Sequence, residues 1–232
     1  MSCEVLKSHR QNFVARRRLK SMALSFARGP WVHTPVLKRF APELVVGDSR
    51  KSWDLVWMLD RIGLSETSKS VLDVGAFRSE ILAILAKSGF PFAYGVDLAF
   101  PAHSPEGANL IAADMMRTPF RDSSFDHVTA VSVIEHGFDR GALLTEVARV
   151  LKPGGSFLAS FDYWPDKIDT SNSPLFGLPW NIFSRSEVEA FFEDAARYGL
   201  FPSGPISLEA KGRPIWFARR RYTFGALELI KK

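Results

Sequence analysis

From residue 70 onward, short apolar runs alternate with stretches of helical period. The run "SVLDV" predicts a strand, 79–88 a helix, and "FAYGVD" and "NLIAAD" two more strands. "FDHVTAVSVI" predicts a fourth strand, 139–151 a helix, and "GSFLASF" a fifth strand opened by the Pro153-Gly154-Gly155 turn. After an irregular stretch at 163–183, "SRSEVEAFFEDAARYG" predicts a helix with Ser184 or Ser186 as N-cap. Two strand-like runs come last, near 205–209 and 222–230. Ahead of all this, "SRKSWDLVWMLDRIGL" sets Trp53, Val56, Trp57 and Leu59 at helical spacing, a lead-in helix packed on the strands and helices after it. Strands alternating with helices predict an α/β fold, doubly wound and Rossmann-like: a mostly parallel sheet, helices on both faces, ligands beyond the carboxyl ends of the strands.

Composition refines this picture at the N-terminus. Of 232 residues, 46% are hydrophobic, enough for one sizeable core. The net charge of +5 is uneven: residues 1–40 hold nine Lys or Arg against one acid, and the remainder carries 21 basic and 24 acidic side chains. The expected organisation is therefore a basic arm at 1–48, broken by Gly29-Pro30, Pro35 and Pro42, followed by one domain at 49–232. Such an arm suits an anionic surface, lipid or nucleic acid; an Arg-rich, acid-poor start is also the pattern of an organelle transit peptide, and a plain solvated tail is the bland alternative. No apolar run has membrane-spanning length, and the single cysteine, Cys3, excludes an intramolecular disulfide. The expected location is cytoplasmic, with peripheral membrane contact left open; oligomeric state is not legible.

The polar residues fall at the predicted strand ends. Asp73 and Gly75 end the first strand, Asp97 the second, Asp114 the third, and Glu135-His136 follow the fourth. Acids suit hydroxyls, amines and cations, whereas a phosphate-rich ligand needs backbone amides and Arg or Lys. The turn "VLDVGAFRSE" has Phe77 and Ser79 where a pyrophosphate fingerprint has glycine, which disfavours a nicotinamide dehydrogenase.

The ordered set "VLDVGAFRSEILAILAKSG", "YGVD", "AAD", "PFRDSSFDHVTAVSVIEH" and "EVARVLKPGGSF" resembles the successive motifs of class I S-adenosylmethionine-dependent methyltransferases, over about residues 50–230. The Ser-containing turn, "IEH" and the Trp-rich helix are similar to members associated with small-molecule and polysaccharide modification. The resemblance implies a seven-stranded sheet and S-adenosylmethionine as cofactor, a ligand without phosphate, for which one turn glycine suffices. It places Asp73, Gly75, Ala76 and Ser79 beside the methionine portion and Asp97 on the ribose hydroxyls. Asp114 would take the adenine amino group, with Met115 on the ring, and Ser132 would border the pocket. Phe77 and Ser79 stand where the family usually has glycine; the bland alternative for Phe77 is that it packs under the turn and narrows the pocket.

For the acceptor, His136 is the expected base, since imidazole titrates near pH 6.5, with Glu135 orienting it. No spacing compels a metal site. "SVIEHG" replaces the Asn-Pro-Pro-aromatic run common in nucleic-acid amino methylases. The segment 163–183 is the expected acceptor insertion, with Tyr163, Trp164 and Trp180 as flat walls and Asp166, Asp169, Asn172 and Asn181 as polar groups, a mixture that suits a small-molecule or glycan hydroxyl. The competing readings are a catalytically inactive binding protein on the same fold, and an RNA-associated methyltransferase using the arm and "ARRRY" at 218–222.

Overall fold

The computed structural model describes residues 1–24, 50–77, 79–100, 107–175 and 177–232. In chain order the elements are β1 (Cys3–Val5), α1 (His9–Ser21), α2 (Ser52–Ile62), β2 (Val71–Val74), α3 (Glu80–Lys87), β3 (Ala93–Asp97), β4 (Asn109–Ala112), β5 (Phe125–Val131), α4 (Arg140–Val150), β6 (Leu151–Tyr163), α5 (Arg185–Ala196), β7 (Leu200–Pro202), β8 (Ile215–Phe217) and β9 (Arg220–Lys231). Neighbouring strands run β1-β9-β6-β5-β2-β3-β4, with β7 and β8 also on β9. Strands β4, β3, β2, β5 and β6 are mutually parallel, and β9 returns antiparallel to β6.

Alternation along the strands divides the interior in two. Leu72, Val74, Val96, Val128, Ala130, Phe157 and Ala159 face one core with Leu143, Leu144 and Val147 of α4 and Phe191 and Phe192 of α5. Val71, Ala93 and Leu158 face the other, with Trp53, Trp57 and Met58 of α2 and Ile81, Leu82 and Ile84 of α3. The lead-in helix is thus one of the layers on the second face. Helix α5 starts in a capping box, Ser184 and Glu187 bonding each other's backbone, so Ser184 is the cap and Ser186 is not.

Two expectations change at the sheet's far edge. The run 205–209 forms no strand; only Ile206 makes an isolated bridge, to Cys3, and the pairing partners are β7 and β8 on either side of it. The outer edge of β9 is shared by three short strands: β8 on Arg220–Tyr222, β1 on Gly225–Leu227 and β7 on Leu229–Lys231. The first 24 residues therefore are not separate from the domain. Ser2, Cys3 and Leu6 are fully buried, and α1 packs Ala15 and Leu19 against the α2 side of the sheet. Covering an open edge satisfies backbone groups that would otherwise recruit another chain. The proline-containing part of the expected arm, 25–48, lies outside the described residues.

Candidate active site

Strand order reverses beside β2, between β3 and β5, and the polar residues expected at the strand ends gather there. Asp73 closes β2 fully buried, with Oδ1 accepting from Thr129 Oγ1 at 2.6 Å. Its Oδ2 and the hydroxyl of Ser79 are buried without a hydrogen bond of ordinary geometry. Burial pushes the Asp73 carboxyl up to about 7, against the opposing pull of Ser79 and Thr129. An orphaned acceptor of this kind fits an ammonium, the charge carried by the amino-acid portion of S-adenosylmethionine.

The turn itself is fastened to β3. Gly75 and Ala76 donate their amides to Val96 O at 2.9 and 3.1 Å. Asp97 accepts from Phe77 N at 3.0 Å through Oδ2 and from Leu98 N at 2.7 Å through Oδ1. Each of its oxygens keeps a further lone pair that can accept from a ligand hydroxyl. Gly75 has φ +70°, and a Cβ there would stand 2.4 Å from Val133 Cγ2. The glycine thus lets the loop after β5 close on the turn, in addition to freeing backbone for a ligand. Phe77 is 45% exposed, so it does not pack under the turn; the backbone that Asp97 holds turns its ring outward. Asp114 is exposed beyond β4, its Oδ1 accepting from Met116 N at 2.8 Å, and Met115 is half-buried against the α4 side core. These residues fit the cofactor: acids at successive strand ends and, in Asp73, a buried carboxylate oxygen facing the turn.

Beyond β5 the chain enters a cavity of about 220 Å³. Ser132 stands at its edge with φ +53°, a conformation costly for a residue with a Cβ and held by its amide's bond to Ser160 O at 3.1 Å. Lys51, Ser132, Glu135, His136, Asp162 and Tyr222 supply the polar lining; Trp180, Ile215, Phe217 and Phe224 supply apolar walls. Glu135 is buried with Oε2 unpartnered, and burial together with the nearby Asp162 carboxylate raises it to about 8, Lys51 opposing. Burial also lifts Asp162 to about 6, against Lys51 and hydrogen bonds from Trp180 and Tyr222. The Lys51 ammonium contacts Ser132 Oγ, lies 3.7 Å from the Phe224 ring centroid and 3.5 Å from Asp54 Oδ2. Burial lowers His136, with a hydrogen bond to the Pro179 backbone pulling the other way, so the imidazole is neutral at neutral pH.

The segment 163–183 is pinned to the Glu135–Gly137 loop by backbone. Asn181 N donates to Glu135 O at 2.9 Å and Gly137 N to Pro179 O at 3.0 Å, with a bridge between His136 and Trp180. A Cβ on Gly137 would lie 2.8 Å from Pro179 Cγ, so the residue after His136 must be small. Of the side chains expected as acceptor walls, Trp180 alone lines the cavity. Tyr163 is fully buried, donating to Leu208 O at 2.8 Å as a core residue. Trp164 lies under the Arg213 guanidinium, 4.1 Å from its ring centroid. Asp166, Asp169 and Asn172 are exposed, and Asn181 bonds Lys167 and Glu187. Sequence reasoning missed Asp162, although it closes β6 as the other acids close their strands. It also missed Lys51, Phe217 and Tyr222, which come together only where α2 packs across β5 and β9.

Known methyltransferases resemble the chain in sequence and in fold. Residues 72–159 match the family model described as a methyltransferase domain. The chain is 29% identical over 119 residues to cycloartenol-C-24-methyltransferase of Arabidopsis thaliana, covering 47% of this chain and 35% of that protein. It is 35% identical over 99 residues to the fatty-acid O-methyltransferase of Mycolicibacterium smegmatis, covering 39% and 36%. It thus spans about a third of the length of these curated relatives. Burkholderia thailandensis 1,6-didemethyltoxoflavin-N1-methyltransferase, solved with S-adenosylhomocysteine, superposes with TM-score 0.60 at 14% identity, over 94% of this chain and 90% of that one. Residues 72–159 thus resemble a methyltransferase domain, and the chain shares the fold of a solved methyltransferase that holds S-adenosylhomocysteine.

Proposed function

We propose that the protein transfers a methyl group from S-adenosylmethionine to a hydroxyl on a small acceptor with a largely apolar body. One observation carries this reading. The Glu135–His136 pair stands on the wall of an aromatic cavity, one loop from the Asp73–Gly75 turn. The cofactor supplies a methyl made electrophilic by its sulfonium. The protein's part is to hold the acceptor oxygen in line, exclude water and take the proton. Neutral His136 would take the hydroxyl proton as the acceptor oxygen accepted the methyl, the sulfur of the bound cofactor keeping the electron pair of the broken bond. Glu135, protonated near neutrality, can donate to the acceptor through its own O–H.

The acids that suited a sugar ring, Asp166 and Asp169, are exposed, which supports an apolar acceptor over a glycan. The names of the relatives point the same way: one acts on a fatty acid, the other on cycloartenol.

The test is calorimetric cofactor binding followed by transfer of labelled methyl to a panel of apolar alcohols, phenols and sugars. Label on an apolar hydroxyl supports the reading. Cofactor binding without transfer to any of them supports the inactive binding protein, and transfer to sugars alone restores the glycan. His136→Ala should lower single-turnover rate about 100-fold or more with cofactor affinity unchanged. Because burial lowers His136, the acid limb of the wild-type profile should fall below the ordinary 6.5.

A further inference from the structure

Helix α1 has a buried face and an outward face of unusual composition. Ala15 and Leu19 pack inward, and Asn12 accepts from Trp53 N at 2.9 Å, fixing the first turn of α2 next to Lys51. On the opposite side, Arg10, Phe13, Val14 and Arg17 fall at positions i, i+3, i+4 and i+7, one stripe of the helix, with Lys20 extending it. All five are exposed, Phe13 at 60% and Val14 at 57%. The helix contains no acid, and its ion pair with the domain, Arg18 to Asp60, lies off this stripe. Among the described residues Arg10, Arg17 and Lys20 form no ion pair.

We propose that this stripe of α1 docks the protein on an anionic lipid surface, the basic side chains meeting headgroups and Phe13 and Val14 entering the acyl boundary. A merely solvated helix face has no use for two adjacent exposed apolar side chains, and a purely electrostatic contact needs only the cations. The combination of both on one face is what an interfacial helix requires. RNA is less well matched, since an aliphatic Val14 offers no stacking surface for a base. Because α1 is held to the sheet through β1 and α2, docking would fix the orientation of the whole domain, not of a loose tail.

The test is sedimentation of the full chain with phosphatidylcholine vesicles and with vesicles that also contain phosphatidylserine, at low and high salt, beside a single-stranded RNA oligonucleotide. Binding to the anionic vesicles alone, reduced by salt, is expected. Arg10→Gln with Arg17→Gln should weaken it about thirtyfold, equivalent to about 2 kcal/mol for two basic residues. Phe13→Ser with Val14→Ser should weaken it at least about tenfold, from the lost apolar burial. All four side chains are exposed, so the melting temperature should be unchanged in both variants. Absence of vesicle binding at low salt overturns the proposal, as does binding insensitive to the serine pair, or RNA binding tighter than vesicle binding.

Discussion

The indole of Trp180 donates from Nε1 to Asp162 Oδ2 at 2.7 Å, and both residues are buried. This bond joins the insertion after β6 to the strand it leaves, on the side where Tyr222 also reaches Asp162. Trp180→Phe keeps an aromatic wall and removes the donor. It should cost about 1.5–3 kcal/mol, the range for hydrogen bonds to charged groups, read by urea denaturation at neutral pH. An unchanged midpoint would mean that the segment is held by its backbone bonds alone.

Glu135 and Asp162 make stability depend on pH in a defined direction. Their carboxyls are raised in the folded protein, from 4.5 to about 8 and from 3.8 to about 6. Between those limits the folded state binds more protons than the unfolded one, so this contribution to stability is whole below the unfolded values and is lost as pH rises through the folded ones. Glu135→Gln should flatten the decline up to about pH 8, as measured by chemical denaturation across that window. A wild-type stability that rises over the same interval would contradict the buried pairing.

Asp97 holds the Phe77 and Leu98 amides and keeps a further lone pair on each oxygen, which we propose accepts the ribose hydroxyls. Asp97→Ala should weaken S-adenosylmethionine binding by about 1–3 kcal/mol in calorimetry. Equal affinity in a folded mutant would take Asp97 out of the cofactor site.

Leu6 follows β1 and is fully buried, its amide donating to Phe224 O at 2.9 Å. Leu6→Ala should destabilise the domain by about 2–5 kcal/mol, as large-to-small changes in a core do. A change near zero would mean that the N-terminal strand is dispensable and that the basic stretch behaves as a free arm.

The alternation of apolar runs and helical periods already determined the parallel half of the sheet, β2 to β6, because strand and helix periods are written locally in the side chains. The acids at Asp73, Asp97, Asp114 and Glu135 were legible for the same reason: a parallel sheet places every strand's carboxyl end on one edge. Other features depend on contacts distant in sequence, and the local pattern is silent about those. Cys3 pairs with Leu227 across nearly the whole chain, so a strand within a basic stretch reads locally as an arm. Ile206 reads as part of a strand because its apolar neighbourhood resembles one, yet β1 occupies the edge of β9 in its place. Lys51, Glu135, Asp162 and Tyr222 come from four separate parts of the chain, and only the packing of α2 across β5 and β9 makes them one cavity with shared electrostatics. Burial, which raises both acids and lowers His136, is a property of that packing; no residue carries it in its own identity.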